Sequence, residues 1–182
     1  MGRSIITAAV LIFTALIIAS DFVLAPFVNV KLMDSVVFLA AFLFGFRAGA
    51  AVAILSETIW SFVSPWGVAG IVTPFLVVGE LLFAAAGWWA SKAWEDRSRI
   101  LNPNSLFIGA VMVLCAIFWD FETNAATALI AYWPAVTFDK LVLTEVLGIP
   151  FALLHLEADF LLGVLFIPAA ILLVPRVMKG KM

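Results

Sequence analysis

The segment Trp119-Asp-Phe-Glu-Thr-Asn124 sets two carboxylates and an amide inside an otherwise apolar run, residues 105–130. Further along, His155, Glu157 and Asp159 interrupt a second apolar run, residues 147–173, and Glu57 and Glu80 do the same in two earlier ones. Ionisable groups in such surroundings persist only where they face a bundle interior or a wet cavity, so their default reading is a functional site. Helical phase sorts them, because positions three or four apart share a face. Asp120, Thr123, Asn124 and Thr127 form one polar stripe, with Trp119 and Glu122 leaning to another. His155, Asp159 and Gly163 form a stripe on the last helix, and Glu157 points elsewhere. Asp120, Asn124, His155 and Asp159 are therefore expected to point inward. Trp60 lies three residues after Glu57, on its face, and Trp119 adjoins Asp120, which suits cation–π contact.

Each feature has a plainer reading. Asp120 and Asn124 can serve as interhelical hydrogen-bond partners, and His155 with Asp159 at i+4 reads as a mutually satisfied pair rather than as metal ligands. Thr123 and Thr127 are expected to bond their own helix backbone. Glu57 is close enough to a helix end to reach water. His155-Leu-Glu-Ala-Asp159 is not H-E-x-x-H, and neither G-x-S-x-G nor a Walker A loop is present, so the sequence gives no sign of an enzyme, a resident cofactor or a metal-ligand motif.

The elements that must position these groups are membrane spans. The 182 residues are 65% hydrophobic and 12% charged, where soluble domains run near 45–50% and about 25%. One integral membrane domain, residues 1–182, is the expectation at this length. There is no basic stripe to bind nucleic acid. The single cysteine, Cys115, excludes an intrachain disulfide. The first apolar segment lacks a small-residue cleavage signature and reads as a retained helix rather than a signal peptide. Spans are expected over residues 4–24, 35–46, 48–63, 70–90, 105–132 and 147–173, the second and third being short. Asp34 reads as the N-cap of the second, Gly45-Phe-Arg-Ala-Gly49 as a tight turn, residues 92–99 as a charged loop, residues 133–145 as a polar connection, and Pro175 as the start of a basic tail. Trp66 and Trp133 at one side, and Trp88, Trp89 and Trp94 at the other, read as interfacial belts.

The positive-inside rule orients this all-α, six-transmembrane-helix bundle with both termini cytoplasmic. Arg3, Arg47, Lys92, Arg97, Arg99, Arg176, Lys179 and Lys181 then lie inside, against Lys31 and Lys140 outside. Glu57, Glu80, Asp120, Glu122, Glu157, Asp159 and His155 fall at a similar depth in the outer half, where no Lys or Arg is expected. Buried carboxylates need a cation, a proton or water. A cationic ligand would complete such a site.

The chain resembles the substrate-binding S-components of energy-coupling factor (ECF) transporters. Ala15-Leu-Ile-Ile-Ala19 looks like the A-x-x-x-A element of that family's first helix, and small residues four apart make a flat packing surface. The run from Asp34 to Gly49 is similar to its second helix, glycine turn and third helix. Asp120-Phe-Glu-Thr-Asn124 resembles D-x-x-T-N. His155, Asp159 and Gly163 resemble H-x-x-x-N-x-x-x-G, with aspartate where the pattern has asparagine. The resemblance implies a prokaryotic plasma-membrane protein that captures a small water-soluble nutrient from outside. It also implies a transmembrane coupling subunit, contacted through Ala15 and Ala19, and two ATPase subunits as partners. The acidic excess and tryptophans favour a cationic or amine-bearing substrate, a thiamin-like vitamin before a divalent metal ion, held by Glu57, Trp60, Glu80, Trp119, Asp120, Asn124, His155 and Asp159. The main rival is a proton- or cation-coupled carrier or channel that works without ATPases. A structural scaffold is the second.

Overall fold

The computed structural model describes residues 3–93 and 103–179. Its elements are helices α1 (Arg3–Leu24), α2 (Met33–Phe44), α3 (Phe46–Val63), α4 (Thr73–Ala93), α5 (Pro103–Ala131), α6 (Phe138–Leu161) and α7 (Ile167–Lys179). A 3₁₀ turn, Gly70–Val72, leads into α4, and a π-helical turn, Leu162–Phe166, joins α6 to α7 in one rod. Among the described residues there is no strand. Five segments are long and apolar enough to cross a membrane: Ser4–Leu24, Phe46–Val63, Gly70–Ala93, Asn104–Ala131 and Phe138–Leu173. Their outward faces carry large apolar side chains such as Leu11, Ile12, Phe62, Leu114, Phe118 and Leu153, the surface that lipid requires. This is the architecture of a multi-pass membrane protein.

The short α2 is the pillar of the bundle. It packs against α1, α3, α4 and α7, and every residue from Met33 to Phe42 is buried. A helix that is apolar all round belongs in an interior. Twelve residues rise only about 18 Å, against about 30 Å of hydrocarbon, so α2 stops short and leaves room above its N-terminus. Its other end turns on one residue: Gly45, at φ 91°, separates α2 from α3. Below the N-terminal turn of α2 the interior is apolar, with Phe38, Phe42, Phe83, Ile108, Met112, Ile167 and Ile171 in one cluster.

Four boundaries differ from the sequence expectation. Asp34 is not an N-cap: Leu32 holds that position, and Asp34 lies in the first helical turn with its side chain turned into the bundle. The expected connection 133–145 is mostly helix, because α6 begins at Phe138 with Thr137 as its cap, accepting from the Lys140 N–H. Pro175 does not end the last helix, which runs to Lys179. The glycine turn is the single Gly45, with α3 starting at Phe46. Of the expected charged loop, Lys92 ends α4. Arg97 and Arg99 lie outside the described residues, as do Trp94 and Lys181.

Candidate functional site

The polar groups gather at the end of the bundle where α2 begins. They fall into three neighbouring places. The first is a cavity of about 420 Å³ beneath the loops 25–32 and 64–69, walled by Asp21, Lys31, Glu57, Trp60, Ser61 and Trp66 among others. Glu57 is buried, 1% exposed. It accepts a hydrogen bond from Ser61 Oγ at 3.2 Å, and its second oxygen has no partner. Trp60 packs edge-on against Phe22 at 5.3 Å. Asp21, one turn from the end of α1, accepts a 3.0 Å bond from the Leu32 backbone N–H. That bond pins the loop to α1 and satisfies a donor at the free N-terminus of α2.

The second place is a closed cluster around His155. Its Nδ1 lies 3.2 Å from both carboxylate oxygens of Asp120, and its Nε2 lies 3.1 Å from Asp34 Oδ2 and 3.8 Å from Asp159 Oδ2. Asp34 is 1% exposed and Asp159 fully buried. Glu80 adjoins Asp34 from α4. Trp119 packs edge-on against the imidazole at 5.4 Å, in space left open by Gly79, where any Cβ would run into the indole. One ligand atom each from Asp34, His155 and Asp159 can be chosen within 4.8 Å of the others, a spacing compatible with one metal ion.

The third place is an apolar crevice of about 600 Å³ between α5 and α6, into which Asp120, Asn124 and Glu145 project. Asn124 Nδ2 donates to Glu145 Oε2 at 3.3 Å, over Gly148. Thr123 bonds its own helix, donating to Trp119 O at 2.8 Å, as its place in the stripe suggests.

The expected single site is thus divided. Glu57 and Trp60 line the cavity, Glu80, Trp119, Asp120, His155 and Asp159 form the closed cluster, and Asn124 belongs to the crevice. Glu122 is half-buried and Glu157 exposed. Ala15 and Ala19 are exposed on α1. Trp66, Trp133, Trp88 and Trp89 are exposed near the helix ends, where belt residues belong.

Four functional-looking residues were not expected here. Asp21 carries no sequence signal beyond being an acid near a helix end. Asp34 has the same signature as a cap. Glu145 sits in a stretch that reads as loop. Lys31 overturns the expectation that no lysine or arginine reaches the acids. Its ammonium extends from the α1–α2 loop to 5.1 Å from the centre of the Trp119 ring. Burial works against its charge, but the carboxylates of Glu57, Asp34, Asp21 and Glu80 more than offset that and raise its pKa above the ordinary 10.5. A long aliphatic stem lets the charge travel several ångströms from its backbone. The protein therefore supplies a cation of its own.

The chain matches no family model, no curated protein and no solved structure.

Proposed function

We propose that this protein is a substrate-capture subunit of the S-component type, which holds a small, water-soluble, amine-bearing solute for an importer of the plasma membrane. The observation that carries this reading is the asymmetry of the bundle. One end holds a cavity of about 420 Å³ lined by acids, a lysine, hydroxyls and tryptophans, while the half beyond it is filled by apolar side chains. Such a cavity lies within the usual 300–1,000 Å³ of small-molecule sites. A vestibule with a closed floor suits capture and occlusion rather than free passage. The lysine and arginine bias of the sequence supports an outward-facing cavity. Lys31 alters the expected chemistry of the solute: with Asp21, Glu57 and Lys31 all lining the cavity, a molecule bearing both an amine and an acceptor group fits better than a bare cation. The exposed small-residue surface at Ala15 and Ala19 is where a coupling subunit, with its two ATPases, would dock.

The test is mass spectrometry of small molecules that co-purify with the detergent-solubilised chain, beside Glu57→Gln and Asp21→Asn variants. A stoichiometric amine-bearing solute that is lost from both variants supports capture. A solute that both variants retain refutes this cavity as its site. The rival is a proton-coupled carrier, favoured by the run Asp34–His155–Asp120, whose contacts of 3.1 and 3.2 Å link acids through an imidazole in the manner of a relay. Proton flux through liposomes that contain this chain alone would favour it.

A further inference from the structure

We propose that Asp34, His155 and Asp159 bind one divalent transition-metal ion, with Asp120 as the group that orients His155. This goes beyond the capture reading and does not rest on it. The ion would lie in the closed cluster, whereas the solute cavity lies toward Glu57 and Trp60.

Three observations converge. The first is the set of unused oxygens. Neither carboxylate oxygen of Asp159 has a hydrogen-bond partner, nor does Glu80 Oε2, and the two residues are 0% and 1% exposed. Such buried acceptors need a donor or a cation: a proton shared with Asp34, which adjoins both carboxyl groups, is one answer, and a cation beside His155 Nε2, with Asp159 Oδ2 at 3.8 Å, is the other. The second is the orientation of the imidazole. Asp120 faces Nδ1 with both oxygens at 3.2 Å, so an Nδ1–H donates there and Nε2 faces Asp34 and Asp159. A carboxylate behind a histidine, fixing its tautomer and leaving the far nitrogen for the metal, is the usual outer shell of such sites. The third is spacing. Zinc bonds of 2.0–2.1 Å in a tetrahedron set ligand atoms about 3.4 Å apart. The Nε2 to Asp34 and Nε2 to Asp159 separations are 3.1 and 3.8 Å and all three ligand atoms lie within 4.8 Å of one another, so the two pairs that include Nε2 are already close to that spacing.

One nitrogen with two carboxylates is a borderline-hard donor set, suited to zinc or manganese rather than to copper(I). Other charged groups face the cluster: Lys31, whose ammonium acts on Asp34 and Glu80, and the carboxyl groups of Glu57 and Asp21. The competing arrangement is an imidazolium that donates to Asp120 and Asp34 at once, with no ion.

The test uses the whole chain in detergent, stripped with chelator and titrated with Zn²⁺ by calorimetry, and with Co²⁺ for its visible spectrum. The expected result is one ion per chain and the intense visible bands of four-coordinate Co²⁺. Affinity falls at least 100-fold in Asp159→Asn and His155→Gln, and 10–100-fold in Asp120→Asn. Glu157→Gln, on an exposed position, leaves it unchanged. Glu57→Gln, which removes a charge from the cavity lining, also keeps the ion, so the two proposals fail separately. Wild-type protein that takes up no stoichiometric Zn²⁺, or uptake that survives in Asp159→Asn, overturns the site. The wild-type titration decides the matter even if a variant does not fold.

Discussion

Replacing Lys31 by methionine tests how the buried charge is balanced. The substitution keeps an unbranched apolar stem and removes the ammonium group. Lys31 acts on several carboxylates at once rather than through one contact pair, so the roughly 3–5 kcal/mol of breaking a buried ion pair is an upper bound. The lost contact with Trp119, 5.1 Å away, is worth about 0.5–2 kcal/mol. Lys31 is partly exposed, so the lower end applies, about 3 kcal/mol in all. For a chain of this size that lowers Tm by roughly 6–12 °C, measurable by tryptophan fluorescence in detergent at pH 7. Neutralising a facing acid as well, in Lys31→Met/Glu57→Gln, should return about 0.5–3 kcal/mol through coupling. The pH dependence has a fixed sign. Because the folded-state pKa of Lys31 lies above the ordinary 10.5, its contribution is complete at neutral pH and fades as pH rises through that higher value. The gap between wild type and Lys31→Met should therefore hold from pH 7 to about 10 and narrow only above that. A loss under about 1 kcal/mol at pH 7, or a gap that closes well below pH 10, would refute the assignment of Lys31 as the internal counter-ion.

Other substitutions probe the walls. Gly79→Ala puts a methyl group onto the Trp119 indole and should cost about 1–3 kcal/mol, with Trp119→Leu in the same chain restoring much of it; thermal melts of the three variants form the cycle. Asn124→Ala removes the 3.3 Å bond to Glu145 and should cost only about 0.6 kcal/mol, the mean for such bonds in membranes, measured by unfolding in mixed detergent. Ala15→Leu/Ala19→Leu, on exposed positions, should leave the melting of the isolated chain within about 0.5 kcal/mol; on the proposed function, the same pair would abolish co-purification with a coupling subunit.

Periodicity carried the reading furthest where helices are regular. The i+4 pair His155 and Asp159, and the stripe through Asp120 and Thr123, are all buried, because a helix side that mixes acids with small residues has no other place to go. Asn124 shares that stripe but sits at its margin, half-buried toward α6, since a stripe that follows i+4 steps drifts around a 3.6-residue helix. What the sequence hid lies in the loops and at the helix ends. Asp34 as a cap and Asp34 as a buried partner of His155 are the same letter in the same place, and only the position of α6 separates them. The sequence places Lys31 on the water side because its backbone is there, but a charge on a four-carbon stem is not located by its backbone. The boundary between cavity, cluster and crevice depends on how α2, α4 and α6 cross. No single helix encodes that.

The loop that carries Lys31 is held by two tethers, the Asp21 bond to Leu32 and the Asn29 side chain, which donates to Phe151 O at 3.3 Å. It brings to the acids a primary ammonium, the same functional group that an amine-bearing solute would offer them. The lysine is thus a competitor ligand fastened to its own receptor. Because the loop is pinned at both of these points, the ammonium is held among the carboxylates rather than free to leave them. On the capture reading proposed above, an incoming amine would meet acids that are already compensated, and its apparent affinity would be lower than its intrinsic one by that standing competition.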